Sequence, residues 1–224
     1  MGCDIHLFVE ARKSENDPWE SQDVWTKDEF TEGQLTVDRE DAWYSDRCYS
    51  LFAILADVRN GFGFAGIPTG NPVIPISQPR GLPSDCNNLV KQEHSSWGLN
   101  AHSESYLSVR ELLEFDWTQK TKKFVVMKPD IYEAWNRWGR KRGESPKDYC
   151  AGVSGPNVVV VNEDEAQERL KEAKNKDNLY IRASWEQQHS VSCSSFWIRT
   201  MPRLIQLGNK FGNDNARIVF WFDN

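Results

Sequence analysis

Three short stretches of the 224-residue chain gather side chains that could hold a ligand or carry out a reaction. The first is Gly2-Cys3-Asp4-Ile5-His6, where a carboxylate and an imidazole stand two positions apart. Residues 3–11 alternate, with Cys3, Ile5, Leu7 and Val9 on one side and Asp4, His6, Phe8 and Glu10 on the other. On a strand, Asp4 and His6 therefore share a face. Such a pair can orient one imidazole or offer two ligands to a divalent cation. The plainer alternative is a polar pair inside a hairpin.

The second stretch is Pro79-Arg80-Gly81-Leu82-Pro83, in which two prolines and a glycine restrict the backbone around one guanidinium. A guanidinium held in this way can grip phosphate or carboxylate bidentately. Asp85 is near enough in sequence to pair with Arg80, which would make the segment a surface turn with a structural salt bridge. The third stretch is Asn100-Ala101-His102-Ser103-Glu104-Ser105-Tyr106, which reads as a turn before a helix. Free N–H groups and hydroxyls favour an anion at such a place, although Ser105 or Ser108 can equally be a cap. Arg47 before the first helix and Asp57-Val58-Arg59-Asn60 at its end add further polar groups. Arg59 can equally cap the carbonyls at that helix end.

Other patterns fail on context. Gly61-Phe62-Gly63-Phe64-Ala65-Gly66 has glycine-fingerprint spacing, but it follows a helix and leads into prolines, whereas a dinucleotide turn runs from strand to helix. A phosphate-binding loop ending in Gly-Lys-Ser/Thr and a Gly-x-Ser-x-Gly elbow are both missing. Cys3 or Cys193 as a nucleophile would need a nearby histidine, and His94 and His189 read as residues of solvated turns.

These groups are carried by elements that the residue pattern predicts. A strand over residues 3–11 turns at Ser14 to Pro18 and returns over 19–25, with 26–46 irregular. Residues 49–58 predict a buried helix, followed by a long glycine- and proline-rich loop to about residue 85. Ser108-Val109-Arg110-Glu111 has capping-box spacing. Then come a strand at 124–127, a helix at 130–142 behind Pro129, and a β-branched run at 157–162 that reads as a central strand. A helix at 163–174, a strand at 179–185, a helical stretch at 194–207 interrupted by Pro202 and stopped by Gly208, and an apolar strand at 216–222 complete the chain. The expected fold is one α+β domain over residues 1–224, with a mixed or antiparallel sheet that includes both terminal strands.

Composition sets the outer limits. Hydrophobic residues are 39% of the chain, with ten Trp, eleven Phe and six Tyr, enough for a sizeable core. A net charge of −6 gives no broad footprint for duplex nucleic acid. Five cysteines, odd in number and without a Cys-x-x-Cys pair, fit the reducing cytoplasm. With neither a leader pattern nor a spanning apolar run, the chain is expected to be neither secreted nor membrane-bound. His6 stands where a myristoylation motif wants Ser or Thr.

The opening Met1-Gly2-Cys3-Asp4-Ile5-His6, the block from Tyr49 to Asn60, Pro79-Arg80-Gly81-Leu82-Pro83, His102-Ser103-x-Ser105-Tyr106-Leu107 and the closing Val219 to Asn224 together carry a resemblance. The chain resembles a family of bacteriophage and bacterial proteins, and the match spans both ends. Members often carry Asp at the position of Asn100 and a residue other than Asp at that of Asp57. No activity comes with the resemblance. It implies a phage protein in the host cytoplasm, where a compact ligand site would antagonise nucleotide-based immune signalling.

The expected function is to bind and sequester a phosphorylated, nucleotide-like small molecule. Arg47, Arg59, Asn60, Arg80, Asp85, His102, Ser103 and Ser105 would line the site, with Asp4 and His6 bonded to ribose or base. The competing expectation is a metal-dependent phosphohydrolase or phosphodiesterase. In that version Asp4, His6, Asp85 and His102 collect a divalent cation, the one cofactor these residues would accommodate, while Arg80 steadies the transition state. A structural or protein-interaction role, with or without homo-oligomerisation, is the third. A common site requires His6 and His102 to lie close together.

Overall fold

The structure, a computed structural model, describes residues 2–27, 33–142, 144–172 and 176–223. In chain order the strands are β1 (Asp4–Ala11), β2 (Glu20–Ser21), β3 (Trp25–Lys27), β4 (Leu35–Val37), β5 (His102–Ser108), β6 (Lys120–Met127), β7 (Val159–Asn162), β8 (Leu179–Gln188) and β9 (Ala216–Asp223). The α-helices are α1 (Tyr49–Ala56), α2 (Asn88–Trp97), α3 (Val109–Glu114), α4 (Pro129–Ala134), α5 (Ala166–Glu172), α6 (His189–Ser192) and α7 (Met201–Phe211). The fold is α+β, as the pattern of elements predicts. The chain forms two compact units, one of residues 1–60, 74–117 and 190–224, the other of 61–73 and 118–189.

The first unit is built on an antiparallel sheet of order β2-β1-β9-β5, which pairs the two terminal strands in its centre. Ala216 to Phe222 is buried throughout, so β9 carries apolar groups on both faces. Residues directly opposite each other in a ladder share a face. Asp4 faces Asp223, His6 faces Trp221, Phe8 faces Val219 and Glu10 faces Arg217 on one side. Ile5, Leu7 and Val9 meet Phe222, Phe220 and Ile218 on the other. On that second face the rings of Phe52, from α1, and Phe222 lie 5.0 Å apart. On the first face, Val90 of α2 packs into a cluster with Phe8, Val219 and Trp221, flanked by Trp97. Helix α1 ends with Asp57 in the left-handed region at φ 61°, where the Asp57 and Val58 N–H groups close on Ala53 and Phe52.

Two local departures matter for the site. The return strand expected over 19–25 is broken into β2 and β3, because the Val9 N–H donates to the Asp23 carboxylate at 3.0 Å instead of to a strand partner. The turn expected at His102 to Ser105 is the start of β5, which runs to Ser108, the N-cap of α3. The capping box is present there, with Ser108 and Glu111 bonded reciprocally. Pro202 falls in the first turn of α7, just after a π-helical turn at Phe196–Thr200. Helix α7 runs past Gly208, which packs closely on Val109, and stops at Gly212 with φ 98°.

The second unit has a mixed three-stranded sheet, β6-β8-β7, antiparallel between β6 and β8 and parallel between β8 and β7. One face, with Val125, Met127, Ile181 and Ala183, forms a core with Tyr132, Trp135 and Ala166. The valine run, expected to be a central strand, is an edge strand: β7 pairs on one side only, and Val159 stays about half exposed. The helix expected to reach Lys174 is described as far as Glu172; Lys174, together with Met1 and Asn224 of the terminal motifs, lies outside the described residues. No described helix is long and apolar enough to cross a membrane.

Candidate functional site

The first face of the terminal-strand sheet opens into a groove of about 640 Å³. Asp4, His6 and Phe8 of β1, with Asp223 of β9, line it from the sheet. Thr36 and Val37 of β4, Arg39, Ser45 and Arg47 line it from the segment before α1, and Glu93 and Trp97 from α2. Strand alternation presents Asp4 and His6 together here, as the sequence predicts.

His6 is held on two sides. Its Nε2 lies 3.2 Å from Asp223 Oδ2, and its ring centroid lies 4.0 Å from that of Trp97 and 5.8 Å from that of Trp221. Asp223 is fixed in turn, since its Oδ1 accepts the Asp4 N–H at 3.1 Å. A carboxylate on Nε2–H leaves Nδ1 as the acceptor nitrogen of the imidazole. Helix α2 supplies Trp97, whose indole N–H donates to Glu93 one turn earlier at 3.3 Å.

Asp4 forms a fork with Arg47: Arg47 Nε donates to Oδ1 at 2.8 Å and Nη2 to Oδ2. The Arg47 hydrogen bonds hold the Asp4 carboxyl below its ordinary range, and Arg39 adds to the same effect by its charge. Arg47 is raised correspondingly. Arg39 is exposed and forms no ion pair or hydrogen bond among the described residues, so its guanidinium is the lining cation with donors to spare. The groove thus combines an imidazole and an indole face, two guanidinium groups and the carboxylates of Asp4, Asp223 and Glu93. That chemistry suits a ligand with a planar polar ring and an anionic group.

The other residues that the sequence nominates lie elsewhere. Arg80 pairs with Glu111 rather than with Asp85, donates to the Tyr106 carbonyl at 3.3 Å, and its N–H donates to the buried Ser105 hydroxyl at 3.3 Å. Glu111 is lowered because the Arg80 and Ser108 hydrogen bonds outweigh its burial. Asp85 accepts from Arg217 at 3.0 Å and from the Trp19 indole at 2.9 Å. Arg217 also pairs with Glu10 at 2.7 Å, and both side chains are almost fully buried. Glu10 further accepts the Asn87 N–H at 2.7 Å and the Cys86 thiol at 3.2 Å, so the loop after Pro83 is fastened to the sheet by charge.

Arg59 reaches the Gly2 carbonyl at 3.5 Å and lies over the Tyr49 ring. Asn60 donates to Asp57 at 2.6 Å. His102 stacks over Phe222 at 6.1 Å, with Nδ1 3.1 Å from the Ser103 hydroxyl. Ser103 has φ 55° and forms an irregularity in β5, where the register shifts between His102 and Ser105.

The single site joining His6, Arg80 and His102 is therefore corrected to a groove holding Asp4, His6 and Arg47. The four-residue cation set does not assemble, because Asp85 serves Arg217 and His102 lies across the sheet. Among the described residues no group of three or more His, Cys, Asp or Glu could hold a metal ion.

No family model, curated protein or solved structure matches the chain.

Arg39, Glu93, Trp97 and Asp223 are the groove residues that sequence reasoning missed. Asp223 carries the one usable signal: it ends an apolar strand two positions after Trp221, hence on the same face. Arg39 sits in a stretch without periodicity and gives none.

Proposed function

We propose that the groove binds a phosphorylated, nucleotide-like small molecule. The observation that carries this reading is the placement of the Asp223-held His6 ring against Trp97, in the same groove as Arg39 and Arg47. The base stacks on the indole, which is partly exposed, and the phosphate takes the spare donors of Arg39. Glu93 and the acceptor nitrogen of His6 suit the hydroxyl and amino donors of a nucleoside. A groove of about 640 Å³ is of the size that small-molecule sites have.

Capture as the outcome rests on the phage setting that the sequence resemblance implies: the protein holds a signalling nucleotide of the host and keeps it from its receptor. Capture and turnover separate in one assay. Protein is incubated with a panel of mono-, di- and cyclic nucleotides, filtered, heated, and the released ligand analysed by mass. Intact nucleotide recovered in proportion to protein supports capture. An altered nucleotide contradicts it and favours a hydrolase, and empty protein contradicts both.

A further inference from the structure

We propose that the second unit carries an independent site for a small amphiphile with one anionic head, of the class of medium-chain carboxylates. The face of its sheet turned away from the Tyr132 and Ala166 core is polar at Lys122, Ser184 and Glu186, yet it also carries an apolar patch. Phe124 and Val126 of β6 and Val160 of β7 share it with Arg182 of β8, since Val126 and Asn162 stand opposite Arg182 in the two ladders. Val126 is already buried, whereas Phe124 is half-buried and Val160 exposed, so the apolar patch is not fully covered by the chain itself.

The cover is partial. Ile67, Pro68 and the Ala151 to Ser154 segment line a groove of about 500 Å³ over the strands.

Arg182 is the sole charged side chain lining this groove among the described residues, and it has neither ion pair nor hydrogen bond among them. Every other lining residue except Ser154 is apolar. A guanidinium with all its donors unused, at the wall of an apolar groove, selects an anion that brings its own apolar body. The volume suits a chain of a small number of carbons rather than a folded partner. The carboxylate accepts from Arg182, and the alkyl chain covers Phe124 and Val160.

The test titrates the full chain with decanoate and with decanol, following heat by calorimetry and the Arg182 side chain by NMR. Decanoate is expected to bind saturably, at least tenfold tighter than decanol. Arg182→Gln should remove that preference, and Val160→Trp, on the exposed edge strand, should fill the groove and lower decanoate affinity at least tenfold. Thermal unfolding checks that both variants fold. Failure of decanoate to bind the unaltered protein overturns the proposal, as does equal binding of decanol. Binding of a peptide with an apolar C-terminus, without any binding of decanoate, also overturns it.

Discussion

His6 and His102 stand on opposite faces of one sheet. His6 lies opposite Trp221 and His102 opposite Phe222, and consecutive residues of a strand point to opposite sides. Each histidine follows the face of its partner, and each ring lies about 6 Å from that partner's ring. A ligand seated on His6 is separated from His102 by the sheet itself.

This relationship predicts unequal effects on ligand binding. His6→Ala should weaken nucleotide affinity about three- to tenfold, the range for a neutral hydrogen bond. His102→Ala should leave it within twofold. Calorimetric titration of both variants against one nucleotide measures the contrast, and equal losses would mean that the two residues serve one site after all.

The Arg80 side chain is spent on Glu111 and Tyr106, so its role is to fasten the Pro79 to Pro83 loop. Arg80→Ala should cost roughly 1 kcal/mol in urea unfolding, the magnitude of a partly exposed pair. Groove affinity should not change. A loss of binding without a loss of stability would return Arg80 to the site.

The Glu10 and Arg217 pair is almost fully buried, with Asp85 as a second partner of the arginine. Arg217→Met alone should destabilise by about 3–5 kcal/mol, because it strands a buried carboxylate. Adding Glu10→Leu should recover much of that loss. A double-mutant cycle from denaturant unfolding reads the coupling, and simple additivity would contradict a coupled pair.

Burial pushes the Asp23 carboxyl up to about 6 from 3.8, although the Val9 N–H and the Ser21 hydroxyl donate to it. The folded state binds this proton more tightly than the unfolded chain. The stability that it contributes is therefore full below pH 4 and is lost as pH rises through about 6. The shift of about two pH units corresponds to roughly 3 kcal/mol. Asp23→Asn should gain on the natural protein by up to that amount between pH 4 and pH 7, as chemical unfolding across the range would show. A constant difference would contradict the shift.

What was legible in the sequence was what adjacent residues decide. The alternation from Cys3 to Glu10 puts Asp4 and His6 on one face, Ser108 and Glu111 mark a helix start, and the apolar run from Ala216 marks a fully buried strand. What stayed hidden depends on partners far along the chain. Asp85 is five residues from Arg80 but bonds to Arg217, 132 positions away. Asp223 meets His6 across 217 positions because the two ends of the chain pair. The irregularity at Ser103 hides β5, since a residue with φ 55° breaks the alternation by which a strand is read. The valines of β7 look central because they are all apolar, and the groove beneath Val160 accounts for part of that.

The groove beside His6 and Trp97 is proposed to take a phosphorylated nucleotide through Arg39. The direct measurement is calorimetric titration of the full chain with the nucleotide panel, repeated for Arg39→Ala and Trp97→Leu. Saturable binding of at least one nucleotide, weakened tenfold or more by each substitution in a folded protein, is the predicted result. No binding to folded protein, or binding that neither substitution changes, would contradict it.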